Sequence, residues 1–442
     1  MKQNFHAPHY QLQSLVTGRI FEDTGWILED EQSDKPGLLR TIYEARQLTL
    51  KDESLGLYQF ADWLPVHEYL KGSSAPVTYR SEHLARHLGL TNLWVTFSGY
   101  WPEKGAGMRT CSFKETEAYA VCGRLDHQSG KVLVVASAGN TARAFARVCS
   151  DNKIPLLLCV PEDRVEVLWF DEPISDCVKL IASQKGSDYF DAIHLSNLAC
   201  QVDNFIMEGG AKNVARRDGM GTTVLSAVTT IGRIPDFYFQ AVGSGTGAIA
   251  AWEANMRLID DGRFGSNKMR LMVSQNEPFI PLYHAWKADS RELSFTSVAV
   301  ARAQADQIDA KVLSNRKPPY GLAGGLYDAL KDTQGDVLTV DNRQARQASA
   351  LFENLEGIDL HPAAAVAVAS LIEAVNNKTV APDALIMINI TGGGEERFKK
   401  ENKLYYLEPE LIFDIDPDFE EVKSKLQELF AKEAVSAAAN IK

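Results

Sequence analysis

Three apolar runs constrain this chain most, because each passes at once into small residues and then into a helix-like pattern. Val132-Leu-Val-Val-Ala136 leads into Ser137-Ala-Gly-Asn-Thr141, Phe237-Tyr-Phe-Gln-Ala-Val242 into Gly243-Ser-Gly-Thr-Gly247, and Ala384-Leu-Ile-Met-Ile-Asn-Ile390 into Thr391-Gly-Gly-Gly394. A strand that is apolar at nearly every residue has no solvated face and must be covered on both sides. Such strands, alternating with helices, build parallel sheets layered between helices. Leu93–Phe97, Pro155–Pro161 and Met269–Val273 continue the pattern, with helices over 115–122, 141–149 and 248–259. Ile249, Trp252, Met256 and Ile259 share one face of the last of these. The expectation is an α/β protein with parallel sheets.

The alternation begins near residue 80. Residues 1–75 mix strand-like pieces with turns, at Tyr10–Gln13, Thr24–Leu28 and Ser33–Gly37, and are expected to form an N-terminal extension. The rest is expected to divide into a large domain over 76–120 and 211–442 and a small α/β domain over 121–210, inserted in the large one. A last helix is expected from Asp416-Pro417, docking through Phe419, Val422, Leu426 and Leu429.

The net charge of −12 argues against a nucleic-acid surface, since phosphate backbones want a basic stripe. No apolar run approaches the length of a membrane span, and the start has no secretory pattern, so a cytoplasmic protein is expected. Cys111, Cys122, Cys149, Cys159, Cys177 and Cys200 are scattered without a Cys-x-x-Cys pair, which speaks against a disulfide framework and a zinc site. His83 and His87 sit four apart, but the glutamate precedes them, so the zinc-protease pattern fails and two solvated helix histidines are expected. No metal is expected.

The chemistry-bearing stretch is Met108-Arg-Thr-Cys-Ser-Phe-Lys-Glu-Thr-Glu-Ala118, which places Lys114 at the opening of a helix beside the apolar Phe113 and Cys111. A partly desolvated ammonium loses its preference for the charged form, and a neutral amine suits a Schiff base. Gly243–Gly247, between a strand and a helix, can turn successive backbone N–H groups into one concavity at a helix N-terminus, a cradle for phosphate. It has neither the dinucleotide spacing nor the lysine of a P-loop. Ser137–Thr141 offers the same kind of turn for a carboxylate, and Thr391 puts a hydroxyl beside glycines that permit close approach. Each has a plainer account: a surface lysine, a tight turn, a helix cap.

Taken together and in this order, the loops resemble those of the fold-type II pyridoxal-phosphate enzymes. Ser112-Phe-Lys114, Ser137–Thr141, Gly243–Gly247 and Glu356-Gly-Ile-Asp-Leu-His-Pro-Ala-Ala-Ala365 are similar to the threonine synthase group in particular. Tyr10-x-Leu-x-Ser14-x-x-Thr17-Gly18 is similar to a cysteine-containing start of some threonine synthases, with Ser14 and Thr17 in place of the cysteines, so a metal role there is absent. Two departures separate the chain from threonine synthase itself: Glu115-Thr116 replaces Asp-Arg after the lysine, and the late loop reads Asn389-Ile-Thr-Gly-Gly-Gly394. With Gly99–Ala106 and Glu208–Gly221, these resemble the cysteate synthase branch, whose members join phosphoserine and sulfite.

The resemblance implies a fold-type II architecture of two parallel-sheet domains, pyridoxal 5'-phosphate as cofactor, small anionic substrates and a homodimer. It implies that Lys114 holds the cofactor and moves the substrate's α-proton. Asn140 would bond the ring hydroxyl, and Gly243, Ser244, Gly245, Thr246 and Gly247 would hold the phosphate. Thr391 would face the ring nitrogen, where a neutral hydroxyl makes a milder electron sink than a carboxylate and favours prompt loss of a β leaving group. Ser137, Ala138, Gly139 and Thr141 would hold the substrate carboxylate. Lys104 and Arg109 are candidates for the substrate phosphate or sulfite, with Arg216 and Arg217 as second choices. Three alternatives stand beside this reading: threonine synthase acting on O-phosphohomoserine, another β-replacing enzyme such as a cysteine synthase using sulfide, and a non-catalytic binding protein of the same fold.

Overall fold

The computed structural model describes residues 5–137, 139–187, 189–295 and 297–439, with side chains as far as Ala431. By its contacts the chain divides into two units. The first comprises 1–69, 73–124 and 210–401, and the second 70–72, 125–209 and 402–442.

The first unit is built on a six-stranded sheet in the order Asp336–Val340, Arg270–Asn276, Phe237–Ala241, Leu385–Ile390, Asn92–Phe97, Val77–Arg80. All neighbours are parallel except Val77–Arg80, which closes one edge antiparallel. The Leu385–Ile390 strand is buried at every residue, as its nearly continuous apolar run requires, with the Asn389 amide donating to Tyr238 inside. Leu93, Val95, Phe239, Ile386 and Ile388 pack on one face with the helix Pro362–Asn376. Tyr238, Leu271, Val273 and Met387 pack on the other with Val214–Ile231 and Thr246–Asp261. In the last helix Ile249 and Trp252 are buried, while Met256 and Ile259 pack partly buried against them.

Residues 1–69 group with this first unit, and Leu38, Tyr43, Phe60 and Trp63 lie inside its core. Tyr10–Ser14 forms a strand as expected, flanked antiparallel by Ile20–Glu22 and Leu39–Tyr43. The piece Thr24–Leu28 is not a strand. Ser14 and Thr17 close a hydroxyl-and-carboxylate turn: the Thr17 N–H donates to Ser14 Oγ at 3.3 Å and the Thr17 hydroxyl to Asp30 Oδ2 at 2.9 Å.

The second unit carries a five-stranded, all-parallel sheet in the order Phe205–Met207, Val132–Ala136, Leu156–Pro161, Val178–Ser183, Leu411–Phe413. The expected bounds need correcting here. Residues 402–442, expected with the large domain, group with the second unit because Leu411–Phe413 extends its sheet and Phe413, Val422 and Leu426 are buried in its core with Leu195 and Phe205. The closing helix runs Phe419–Ala439, and its cap is Asp418, two residues later than expected, whose carboxylate accepts the N–H of Glu420 at 2.9 Å.

His83 and His87 lie exposed on the helix His83–Leu88. Among the described residues there is no group of side chains that could hold a metal, and no helix is long and apolar enough to cross a membrane. None of the six cysteines is in a disulfide.

Candidate active site

Three loops of the first unit leave the carboxyl ends of adjacent parallel strands, where sheets of this kind bind ligands. Ser98 follows Asn92–Phe97, Thr391 follows Leu385–Ile390, and Gly243 follows Phe237–Ala241. The lysine stretch is stitched to the second of them. The Phe113 N–H donates to the Thr391 carbonyl at 3.0 Å, the Gly393 N–H donates to the Cys111 carbonyl at 3.1 Å, and Ser112 bridges Gly392. Cys111 itself turns through φ 56, a left-handed conformation that costs an L-residue about 1–2 kcal/mol and that these two bonds hold in place. Glu115 secures the turn from the other side, its carboxylate accepting the Thr110 N–H at 2.5 Å.

Lys114 opens the helix Lys114–Arg124, with its side chain 22% exposed and its ammonium 4.9 Å from the centre of the Phe113 ring. The apolar setting expected from Phe113 and Cys111 is only half of its environment. Lys114 Nζ lies 3.0 Å from Glu117 Oε2, and the other oxygen, Oε1, accepts from Arg216 at 2.6 Å. Glu117 is fully buried. Burial alone would raise its carboxyl, but Arg216 and Lys114 outweigh that and hold it below the ordinary carboxylate range. A charged partner favours the ammonium form of the lysine, the reverse of what apolar neighbours alone would do. Glu117 was missed in the sequence although its spacing, three residues on from Lys114 along a helix, is the signal that finds it.

The glycine loop runs into the helix Thr246–Asp261. Gly245 adopts φ +76, and a Cβ there would also meet the Leu326 side chain at 2.7 Å, so the position is reserved for glycine on two counts. The hydroxyls of Ser244 and Thr246 lie 2.9 Å apart at the helix start. Behind the loop Gln240 packs on Gly247 and accepts the hydroxyl of Tyr238, while Asn389 donates to Tyr238 at 2.9 Å. This buried network ties the floor of the glycine loop to the strand that ends at Thr391.

The other expected residues are placed as follows. Ser137, Gly139, Asn140 and Thr141 belong to the second unit; Ala138 lies outside the described residues. The Ser137 hydroxyl accepts the Gly139 N–H at 3.2 Å, and Asn140 opens the helix Asn140–Asn152 with Oδ1 accepting from Arg143 at 3.2 Å. Lys104 is exposed, its ammonium 4.6 Å over the Tyr79 ring. Arg109 is half-buried. Arg217 is buried against Glu253, 2.9 Å from Nε, and bonds the carbonyls of Ala211 and Leu39, so its guanidinium is spent on the fold and cannot meet a substrate anion.

A primary amine at a helix start bonded to a strand-end loop, a glycine turn with two hydroxyls at a helix N-terminus, and Thr391 beside the lysine stretch form a donor set suited to a phosphorylated aldehyde. Residues 80–392 match the family model described as pyridoxal-phosphate dependent enzyme. The maize serine racemase structure superposes with a TM-score of 0.57 at 16% identity, covering 72% of this chain and 88% of that one. A pyridoxal 5'-phosphate-dependent aspartate racemase superposes with a TM-score of 0.54 at 15% identity, covering 74% and 92%. At these identities they speak for the fold alone.

The chain therefore belongs to the pyridoxal-phosphate-dependent enzymes, with the fold-type II architecture. Within that class its relatives are specific. It is 48% identical to cysteate synthase from Methanosarcina acetivorans over 93% of this chain and 99% of that one. It is likewise 48% identical to cysteate synthase from Methanosarcina barkeri, over 91% and 96%. The cysteate synthase of Methanospirillum hungatei is 45% identical over 89% and 92%.

Proposed function

We propose that this enzyme joins O-phospho-L-serine and sulfite by β-replacement, giving L-cysteate and phosphate, with pyridoxal 5'-phosphate as cofactor. The observation that carries the reading is near-half identity, along nine-tenths of the chain, to enzymes named cysteate synthase. We propose as well that it acts as a homodimer in the cytoplasm, as the resemblance implies.

Bound pyridoxal phosphate supplies the electron sink that makes the substrate's Cα–H bond acidic. Lys114 would hold the cofactor through Nζ and, once released by substrate, take the α-proton there and later return it. Gly243, Ser244, Gly245, Thr246 and Gly247 would hold the cofactor phosphate with backbone N–H groups and the positive end of the helix. Thr391 would face the ring nitrogen and Asn140 the ring hydroxyl. Ser137, Gly139 and Thr141 would bind the substrate carboxylate. Lys104 and Arg109 are assigned to the leaving phosphate or the entering sulfite.

The test is phosphate release and product mass from phosphoserine with and without sulfite, alongside phosphohomoserine. Sulfite-dependent cysteate from phosphoserine is expected. Threonine from phosphohomoserine, with phosphoserine inert, would overturn the reading. Lys114→Ala is expected to abolish both turnover and borohydride-stable attachment of the cofactor, and wild-type turnover in that variant would remove Lys114 from its role.

A further inference from the structure

Among the buried titratable groups that the assigned mechanism leaves unused, Glu117 touches the reacting amine. Glu117 is fully buried, yet it meets two cations, one on each oxygen: Arg216 on Oε1 and Lys114 on Oε2. Arg216 alone would balance its charge. The second is the amine that the reading above assigns to proton transfer.

We propose that Glu117 is a positioning residue that acts through Lys114: it serves as counter-ion to the Lys114 ammonium formed when the α-proton is taken, and so strengthens Lys114 as a base. The inference rests on the assignment of Lys114 as the base of the proposed reaction.

The arrangement fits the step. As the Cα–H bond breaks, its proton passes to the lone pair of Lys114 Nζ. The electron pair left at Cα forms the Cα–Cβ double bond, and the Cβ–O pair departs with phosphate. When the sulfur lone pair of sulfite has added to Cβ, the proton returns from Nζ to Cα. Between those events Lys114 carries a full charge in a largely buried place, and a carboxylate at 3.0 Å stabilises that charge. A weak sink opposite Thr391 makes the strength of the base matter more.

Arg216 explains why the carboxylate does not take the proton itself. It bonds Oε1 from the facing helix, independently of the Oε2 that meets Lys114, and keeps Glu117 ionised. Glu117 also sits in the first turn of its helix, where the macrodipole favours a negative charge. Arg216 from the helix Val214–Ile231 and Lys114 from its own helix both face Glu117.

The test compares wild type with Glu117→Gln. The variant holoenzyme is expected to take up pyridoxal phosphate, to lose about 100-fold in kcat with KM for phosphoserine little changed, and to show a larger primary isotope effect with α-deuterated phosphoserine. Without sulfite, exchange of the α-proton with solvent deuterium should slow in parallel. In the apoprotein, reductive methylation of Lys114 near neutral pH should speed up about ten-fold, as expected for an amine that loses one unit of proton affinity. A kcat equal to wild type overturns the proposal. So does a loss of kcat with isotope effect and methylation rate both unchanged, which marks a structural pair only.

If Glu117→Gln does not fold, Glu117→Asp decides, because it keeps the charge but draws it back by one methylene; the same shifts, smaller, are expected, and their absence overturns the role. Failure of the substrate assignment reads differently. Wild type that exchanges the α-proton but makes no cysteate loses the sulfite step alone, while the methylation rate still judges Glu117.

Discussion

At the scale of single residues, the buried carboxylate of Glu117 makes its charge a stability element as well as a feature of the site. Its carboxyl is held below the ordinary value of 4.5. The stabilisation is therefore complete above that pH and is lost as pH falls from there through the lower folded value. Glu117→Gln removes the charge but keeps the shape, taking a buried carboxylate away from the largely buried Arg216, so it should cost about 3 kcal/mol at neutral pH. Urea denaturation at a series of pH values is expected to show the gap between the two proteins narrowing below pH 4.5. A gap independent of pH would mean that Glu117 is neutral in the fold. Its pairing with Arg216 was not legible beforehand, because Arg216 lies 99 positions away and only the folded helices bring it near. The helix start at Lys114 and the tight turn at Gly245 were legible, because a helix opening and a backbone that must come close leave their mark in a few consecutive residues.

At the scale of elements, the helix Lys114–Arg124 is set by its crossing with Val214–Ile231, and the crossing by Gly219. A Cβ there would stand 2.3 Å from the Thr116 carbonyl oxygen and 2.7 Å from Ala120 Cβ, both on the facing helix. Backbone cannot give as a side-chain tip can, so Gly219→Ala should push the helices apart and cost about 1–3 kcal/mol, as overpacking does. It should also draw Arg216, three residues earlier on the same helix, away from Glu117. The expected result is a lower denaturation midpoint together with weakened cofactor retention; a variant as stable as wild type would place the helices further apart than described here. Which elements could be foreseen follows from burial. Val132–Ala136 is apolar throughout, and Leu385–Ile390 at every residue but Asn389, because helices cover both faces, and so long an apolar run is easily recognised. Asp336–Val340 and Leu411–Phe413 lie at sheet edges with mixed burial; the first interleaves polar residues and the second is only three residues long, so neither carries such a run.

At the scale of the whole molecule, the chain owes its two units to the separation of its cores. The second core is completed by the last segment, as Val422 and Leu426 are fully buried beside Leu157, Ile181 and Leu195. The stripe Phe419, Val422, Leu426, Leu429 was legible from its helical spacing, but its destination was not, since periodicity tells which face is buried and never against what. This gives a localised expectation for Leu426→Ala. Truncating a fully buried leucine costs about 2–5 kcal/mol, with the spread set by how far the site collapses. All of that loss falls on contacts within the second unit. Amide hydrogen exchange should therefore quicken in Val132–Ala136, Leu156–Pro161 and Val178–Ser183, while Phe237–Ala241 and Leu385–Ile390 keep their protection. Reconstitution with pyridoxal phosphate followed by borohydride should still label Lys114, because its loop and that of Thr391 belong to the first unit. Equal loss of protection in both sheets would instead mean that the two cores open as one cooperative body, and the C-terminal helix would then govern the stability of the entire enzyme.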